Sequence, residues 1–302
     1  MTAQLQISSA LMRKGKLPSW FRQDIPTQAA LSMMGTLRQA GIHTVCQEAH
    51  CPNLTQCFDR CHVTFMILGS ACTRRCRFCA VDKMTLRKQG LVDFQEPQRI
   101  KTAVKKLGLR YVVVTSVTRD DLPDGGAASF KQTIKMIKEL DRSIEVEALI
   151  PDFQGNPQSI ACVLEAGADV IAHNIETVKR LYPSVRPQAN YEVSLKVLSF
   201  LKQKQPRLLT KSSLMLGMGE DERELERALE DLRGCGCDIV TLGQYLAPSS
   251  NHFPVSEFVQ PHAFETIQKK ALAMGFKAVV AHPLARSSYL AQEAKEEALC
   301  MM

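Results

Sequence analysis

From residue 64 onward, short apolar runs rich in β-branched residues alternate with longer runs in which apolar residues recur at the helical spacing. Short β-branched runs predict strands and longer amphipathic runs predict helices, so the alternation is typical of βα units that build a parallel sheet. Strands are predicted at residues 64–68, 111–117, 144–150, 170–173, 210–216 and 239–245. Helices are expected to follow them near residues 97–107, 127–140, 157–166, 189–204, 220–233 and 262–274.

The loops that follow the predicted strands hold the residues with the most chemistry. They include the runs SACTRRCRFC, TRDDLPDGG and HNIET, whereas the loops at the other ends of the strands are plainer. In βα barrels the reactive groups gather at the C-terminal ends of the strands. We therefore predict an α/β fold, a partial (β/α)6 barrel, in preference to an open doubly wound sheet. N-terminal and C-terminal extensions are expected to cover the barrel mouth.

Three segments follow from this pattern. Residues 1–63 lie outside the repeat and form an N-terminal extension, with a helix predicted at residues 28–40. Residues 64–276 form the partial barrel, and residues 277–302 form a C-terminal tail that begins with the apolar run 277–280. No low-complexity linker separates the segments, so the extensions are expected to pack on the barrel.

Composition narrows the classes of function. The chain has 302 residues, of which 45% are hydrophobic and 23% charged, as in ordinary globular proteins. No run approaches the roughly 20 apolar residues of a membrane span, and the first 20 residues lack the apolar stretch of a secretory signal. The net charge of +7, one Trp and five Tyr offer little for nucleic acid. We expect a cytoplasmic protein with neither a membrane nor a nucleic-acid partner.

The cysteines are concentrated in one part of the chain. Of the 11 cysteines, seven fall between residues 46 and 79, and six of these form two triplets spaced CxxxxCxxxxxC and CxxxCxxC. A disulfide framework is not expected in the reducing cytosol, and zinc favours closed sites of four ligands. Three thiolates fit a [4Fe–4S] cluster with one open iron. The predicted ligands are Cys46, Cys51, Cys57, Cys72, Cys76 and Cys79.

The second triplet lies on the loop after the first predicted strand. An open iron there could bind a cofactor, and a zinc knuckle is the alternative. The run CTRRCRFC, with Phe78 before its last cysteine, resembles the radical SAM superfamily. The resemblance implies that S-adenosyl-L-methionine (SAM) chelates the open iron beside Phe78. An electron from the cluster would then cleave SAM to a 5′-deoxyadenosyl radical, which abstracts hydrogen from unactivated carbon.

Five runs in order resemble the lipoyl synthase family: VCQEAHCPNLTQC, TFMILGSACTRRCRFC, TSVTRDDLPDGGA, HNIETV and ARSSYLAQEA. The resemblance implies two [4Fe–4S] clusters. The upstream triplet would hold an auxiliary cluster whose fourth ligand is Ser288. The implied reaction inserts two sulfur atoms at C6 and C8 of a protein-bound octanoyl-lysine, and the auxiliary cluster is consumed as the sulfur donor. From the residues alone, Ser288 fits a helix N-cap better than an iron ligand.

The resemblance also implies partners. These are octanoylated lipoyl-carrier domains, namely the acyltransferase subunits of 2-oxoacid dehydrogenases and the glycine cleavage H protein, together with a low-potential electron donor and iron–sulfur cluster carrier proteins. Two alternatives remain. One is another radical SAM sulfur-inserting enzyme, either biotin-synthase-like or a methylthiotransferase. The other is a non-catalytic iron–sulfur electron carrier, which would not need a polar rim of this size.

Other residues of the predicted rim are candidates for cofactor binding. Asn174 and Glu176 are two residues apart after a strand, so their side chains can point to the same side. Related radical SAM enzymes place such a pair on the SAM ribose hydroxyls; a strand-end cap beside a surface acid is the alternative. Arg119 and Asp120 could contact SAM or substrate, and Gly217 permits close backbone approach. Cys61 and Thr118 depart from the common family pattern and receive no role.

Overall fold

The computed structural model describes residues 17–22 and 25–301. The first 16 residues, on which most of the expectation about a secretory signal rests, therefore lie outside the described residues. No helix within the described ranges is long and apolar enough to cross a membrane.

The strands confirm the predicted alternation. Each predicted strand and each predicted barrel helix is present, and its ends differ from the prediction by at most two residues. The strands are β1 (His43–Thr44), β2 (Thr64–Ile67), β3 (Ala71–Cys72), β4 (Asp82–Lys83), β5 (Tyr111–Ser116), β6 (Glu145–Leu149), β7 (Val170–Ala172), β8 (Leu209–Leu216), β9 (Ile239–Gln244) and β10 (Ala278–Ala281).

The helices include three short ones that the sequence pattern did not predict, α2, α3 and α7, of which the first two carry cysteines of the first triplet. The helices are α1 (Gln28–Gln39), α2 (Val45–Glu48), α3 (Leu54–Asp59), α4 (Glu96–Leu107), α5 (Ala127–Lys138), α6 (Pro157–Leu164), α7 (Tyr182–Val185), α8 (Tyr191–Lys204), α9 (Glu222–Gly234), α10 (Pro261–Ala273) and α11 (Ala291–Cys300).

The main sheet of the described residues has eight strands in the order β1-β2-β5-β6-β7-β8-β9-β10. All neighbours are parallel except β1, which pairs with β2 in the antiparallel sense. From β2 to β10 the strands follow one another across the sheet in the order of the sequence, whereas in a doubly wound sheet this order reverses at a switch point. The edge strands β1 and β10 do not pair with each other, so the sheet is a partial barrel that is not closed.

The run at residues 277–280 corrects the predicted strand count. It forms β10, which pairs with β9 from Ala278 to Ala281. The sheet therefore has seven parallel strands and not six, and the tail predicted at residues 277–302 begins with a strand of the sheet.

Side chains of β5 show how the sheet divides the interior. Val112 and Val114 belong to the core between the sheet and its helices, whereas Tyr111 and Val113 face the inside of the barrel. Successive side chains of a strand point to opposite faces, so each central strand contributes to both regions. Within the barrel, Lys211 Nζ lies 3.0 Å from both carboxylate oxygens of Glu147, and Tyr111 donates a hydrogen bond to Glu147 at 2.9 Å.

The C-terminal helix α11 closes the N-terminal end of the barrel. Ala294 and Ala298 pack against the first residues of four strands, and Lys295 forms an ion pair with Glu145 at the start of β6. Small residues at this helical spacing let α11 approach the strands closely. The strand residues in contact are Val170, Leu209, Ile239 and Ala278.

Candidate active site

One cavity of about 540 Å³ lies at the C-terminal ends of the strands. Segments that are far apart in the sequence meet there, namely the N-terminal extension, the loops after the strands and the tail. The predicted site residues that line this cavity are Cys46, Cys51, Cys57, Cys72, Cys76, Cys79, Phe78, Asn174, Glu176 and Ser288. The structure therefore brings together both cysteine triplets and the predicted serine.

The first triplet is held by α2 and α3. Cys46 lies on α2, which Thr44 caps by accepting a hydrogen bond from the backbone of Gln47. Cys57 lies on α3, and Cys51 lies between the helices, where its backbone N–H donates to Cys46 O at 3.0 Å. Burial raises the pKa of each thiol, that of Cys57 to about 12, and the thiols of Cys51 and Cys57 raise that of Cys46 further.

The second triplet is held by a loop with several backbone contacts. Cys72 ends β3, and its carbonyl accepts a hydrogen bond from Met84 N at 2.8 Å. Cys79 N donates to Cys76 O at 3.2 Å. Burial raises the pKa of Cys79 to about 11. The loop thus presents three thiols to the cavity in a fixed arrangement.

The donor set suits iron–sulfur clusters. All six thiols are free, because none forms a disulfide. Across residues 17–22 and 25–301, no three His, Cys, Asp or Glu side chains are arranged to hold a single metal ion. In a cubane each thiolate binds a different iron, so a triplet does not need to converge on one ion. Each triplet offers three of the four ligands that such a cluster takes.

One arginine lies beside each triplet, and of the two Arg186 is buried and Arg286 is half-buried. Arg186 interacts with the Cys76 thiol, and Arg286 with the Cys51 thiol. Arg186 is held by hydrogen bonds of 3.1 Å to the carbonyls of Asn174 and Ile175. A guanidinium stabilises the negative charge of nearby thiolates. Arg186 was not predicted from the sequence, in which its only signal is its place in the loop after HNIET.

The tail brings Ser288 to the cavity beside the first triplet. Tyr289 donates to Gln56 at 3.2 Å, and Asn53 donates to the carbonyl of Leu284 at 2.5 Å, so contacts with the first-triplet segment flank the serine. The N-cap interpretation of Ser288 is wrong, because α11 begins at Ala291 with Leu290 as its N-cap. The hydroxyl of Ser288 is therefore not used in capping.

Asn174 and Glu176 also line the cavity, on the loop after β7. Asn174 Nδ2 donates to Glu176 Oε1 at 3.0 Å, and Ser287 Oγ donates to Asn174 Oδ1 at 3.0 Å. Burial raises the pKa of Glu176, while Arg186, Asn174 and Arg286 oppose this rise. The predicted pairing of the two side chains is present, and its link to the tail was not predicted.

Arg119 and Asp120, which we expect to contact SAM or substrate, are not among the residues that line the cavity. Arg119 is 2% exposed and is paired with Asp121 at 2.8 Å. Asp120 accepts hydrogen bonds from Arg74, of which the one between Arg74 Nε and Asp120 Oδ2 is 2.7 Å long. Both residues are engaged in ion pairs, Arg119 with Asp121 of its own loop and Asp120 with Arg74 of the second-triplet loop.

Gly217 is the other predicted cofactor-binding residue that lies against the chain itself. It has a φ of +91°, and a Cβ atom there would overlap Gln244 Nε2 and the carbonyl oxygen of Glu257. The close backbone approach that we predicted at this glycine is therefore to another part of the chain, and Gly217 does not line the cavity.

Comparison with known proteins fits this geometry. Residues 66–232 match the model of the radical SAM superfamily. The chain is 50% identical to the lipoyl synthase of Caldicellulosiruptor saccharolyticus over 283 residues, which are 93% of this chain and 98% of that protein. This chain belongs to the lipoyl synthase family.

Other similarities to the lipoyl synthase family and its superfamily agree with the assignment. The lipoyl synthase of Thermus thermophilus is 50% identical over 286 residues, which are 93% of this chain and 87% of that protein. Among solved structures, methylornithine synthase superposes with a TM-score of 0.52 at 14% identity. That match covers 71% of this chain, which spans only 62% of the solved chain, and it supports the fold alone. As members of the radical SAM superfamily, lipoyl synthases use an iron–sulfur cluster and SAM.

Proposed function

We propose that this chain inserts two sulfur atoms, at C6 and C8, into an octanoyl chain attached to a lysine of a carrier protein. The observation that carries the proposal is the cavity in which both cysteine triplets, Ser288 and the Asn174–Glu176 pair meet. A non-catalytic electron carrier would need one buried cluster and no such space. A radical enzyme that donates sulfur needs both sites facing one substrate.

We assign a different role to each triplet. Cys72, Cys76 and Cys79 would hold a cluster whose open iron binds SAM, next to Phe78. Cys46, Cys51 and Cys57 would hold an auxiliary cluster, with Ser288 as its fourth ligand. When bound, these groups supply the carbon-centred radical and the sulfur. A hydroxyl is a harder and weaker ligand than a thiolate, which suits a cluster that has to give up its sulfur.

The chain's own side chains would orient the substrate and exclude water. Met66, Val113, Leu149 and Met215 line the cavity on four different strands and form an apolar wall. Such a wall suits an octanoyl chain, because burial of apolar carbon is favourable. Excluding water and other small reactants also protects reactive species from side reactions.

The Asn174–Glu176 pair would bind the ribose hydroxyls of SAM. Both side chains line the cavity, and the carboxylate can accept hydrogen bonds from hydroxyl groups. Arg186 would keep the loop in place through its hydrogen bonds to the carbonyls of Asn174 and Ile175.

Lipoyl synthases act on lipoyl-carrier proteins. We propose octanoylated domains of 2-oxoacid dehydrogenase acyltransferase subunits and the glycine cleavage H protein as the carriers here. The rim of the cavity includes the exposed residues His50 and Ala247, where an octanoyl-lysine arm could enter. A low-potential electron donor would reduce the clusters, and iron–sulfur carrier proteins would rebuild the auxiliary cluster. The reaction would take place in the cytoplasm, where thiols stay reduced.

The test is an anaerobic reaction of the reconstituted chain with SAM, dithionite and an octanoyl-lysine peptide, followed by mass spectrometry. We expect 5′-deoxyadenosine and a peptide that has gained two sulfur atoms. Deoxyadenosine without a thiolated peptide would contradict the sulfur insertion and favour another substrate, such as a biotin precursor or an RNA. A fully iron-loaded sample that forms no deoxyadenosine would contradict radical chemistry altogether.

A further inference from the structure

Two adjacent serines of the tail have different surroundings. Ser288 lies between the contacts of Leu284 and Tyr289 with the first-triplet segment. Ser287 instead donates a hydrogen bond of 3.0 Å to Asn174, 113 residues away in the sequence. One short segment therefore contacts both halves of the site.

Ser287, Asn174 and Glu176 form a chain of two hydrogen bonds, in which Ser287 donates to Asn174 and Asn174 donates to Glu176. The Asn174 amide directs its Nδ2 group toward Glu176 Oε1 at 3.0 Å, and the carboxylate form of Glu176 can only accept this hydrogen bond. This leaves Asn174 Oδ1 as the acceptor on the other side, and the hydroxyl of Ser287 has to be the donor. The amide orientation at the ribose-binding pair is thus fixed by Glu176 and by the tail together.

We propose that Ser287 is a positioning residue, which orients Asn174 for SAM and couples SAM binding to the placement of Ser288. The inference rests on the proposed function of the Asn174–Glu176 pair. Because coupling between two sites is reciprocal, SAM also stabilises the tail in the position that keeps Ser288 at the first triplet. Ser288 would then stay in position to ligate the auxiliary cluster while intact SAM is bound.

Removal of the Ser287 hydroxyl leaves Asn174 Oδ1 without this donor and lets the amide rotate. A single hydrogen bond of this kind corresponds to an affinity change of about tenfold. We therefore expect the Ser287→Ala variant to bind SAM about tenfold more weakly, measured by equilibrium dialysis with the cluster-loaded full chain. The Ser287→Thr variant keeps a hydroxyl and should restore the affinity. Ser250→Ala, an exposed serine outside the cavity, is the matched control.

A second readout follows the coupling itself. In the wild-type chain, addition of SAM should shift the Mössbauer signal of the auxiliary cluster, and in Ser287→Ala this shift should be lost. A purely structural role of Ser287 would not remove that response. If Ser287→Ala does not load its clusters, Ser287→Cys keeps the side-chain volume but donates only weakly, so it should show the same loss of affinity.

The outcomes separate this inference from the proposed function. If the wild-type chain binds SAM and Ser287→Ala binds it equally well, with the same spectral response, Ser287 has no positioning role. If the wild-type chain does not bind SAM, the proposed function is wrong and the inference is wrong with it. Weaker binding in Ser287→Ala and Ser287→Cys, together with restored binding in Ser287→Thr, supports the inference.

Discussion

Arg74 holds Asp152 through two hydrogen bonds of 2.6 Å, one to each carboxylate oxygen. Arg74 belongs to the loop of the second triplet, and Asp152 follows β6, so the pair ties the cluster loop to a neighbouring strand end. Burial raises the pKa of Asp152, but the contacts with Arg74 outweigh this and lower it to about 2. The pKa of Arg74 is correspondingly raised, so both partners are charged at neutral pH.

This ion pair makes the stability of the fold depend on pH. The pKa of Asp152 is lower in the folded chain than the usual value of about 3.9, so its contribution is complete above about pH 4 and is lost as the pH falls toward 2. We expect Asp152→Asn to lower the free energy of unfolding at pH 7 by about 2 to 3 kcal/mol. The difference from wild type should shrink on acidification.

Urea unfolding of the cluster-free chain at several pH values measures this difference. Asp141→Asn is the control, because Asp141 pairs with Arg110 at the exposed surface and should change stability little at any pH. A difference between Asp152→Asn and wild type that stays the same from pH 7 to pH 2 would contradict the assignment.

The two triplets can be separated by single substitutions. Cys72→Ala should abolish deoxyadenosine formation, since the cluster that binds SAM loses a ligand. Cys46→Ala should still form deoxyadenosine but no thiolated peptide, because only the sulfur donor is lost. Each variant should keep about half of the bound iron if each triplet holds one cluster.

Iron analysis and product analysis of the same samples check both statements. Cys162→Ala is the matched control, since Cys162 lies on α6 and does not line the cavity. Loss of deoxyadenosine in Cys46→Ala at retained iron would show that the roles of the triplets are not separate.

Replacing Ser288 by a stronger ligand should slow sulfur release. In Ser288→Cys a thiolate would hold the fourth position of the auxiliary cluster more firmly than a hydroxyl does. We expect full iron content and normal deoxyadenosine formation, with formation of the thiolated peptide slowed by at least about tenfold, which corresponds to about 1.4 kcal/mol. Single-turnover reactions followed by mass spectrometry give the rates. Wild-type rates of thiolation in this variant would exclude Ser288 as a ligand that must leave.

Gly217 should be required for packing and not for cofactor binding. In Gly217→Ala the alanine would have to adopt a φ of +91°, and its Cβ atom would overlap Gln244 and the backbone of Glu257. Gly167→Ala has a similar φ of +80° and open space around its Cβ position, so it measures the backbone cost alone. That cost is about 1 to 2 kcal/mol, and Gly217→Ala should lose more.

Thermal or urea unfolding of both variants provides the comparison. The SAM affinity of any folded Gly217→Ala protein should equal that of wild type, because Gly217 does not line the cavity. Equal stabilities of the two variants would contradict the packing role.

The sequence predicted much of the fold because its signals are local. The strand β5 illustrates this, since its β-branched run is read directly from residues 111–117 and the strand is found at Tyr111–Ser116. The short helices α2 and α3 were missed because four and six residues are too few to show a helical period. The strand β10 was seen as an apolar run but not placed in the sheet, because periodicity does not state which strands pair.

The candidate site was predicted to a different extent for each residue. The cysteine spacing identified both triplets, and resemblance to a family suggested Ser288, which lies at the predicted cavity. Arg119 and Asp120 were predicted to lie on the rim of the barrel, yet Arg119 forms an ion pair with Asp121 and Asp120 forms one with Arg74. Asp120 could not be placed from the local pattern, because its partner Arg74 is 46 residues away in the sequence.

The sequence by itself determined the alternation of strands and helices, the partial-barrel class of the fold and the chemical identity of the six cysteines. These features follow from local burial patterns and from the spacing of residues within one loop. Only the tertiary structure decided that α11 fills the N-terminal end of the barrel, that Arg186 and Arg286 accompany the triplets, and that Ser287 contacts Asn174 across 113 residues. The physical reason is that hydrogen bonds and ion pairs reach only a few ångströms, and the fold brings such distant residues together.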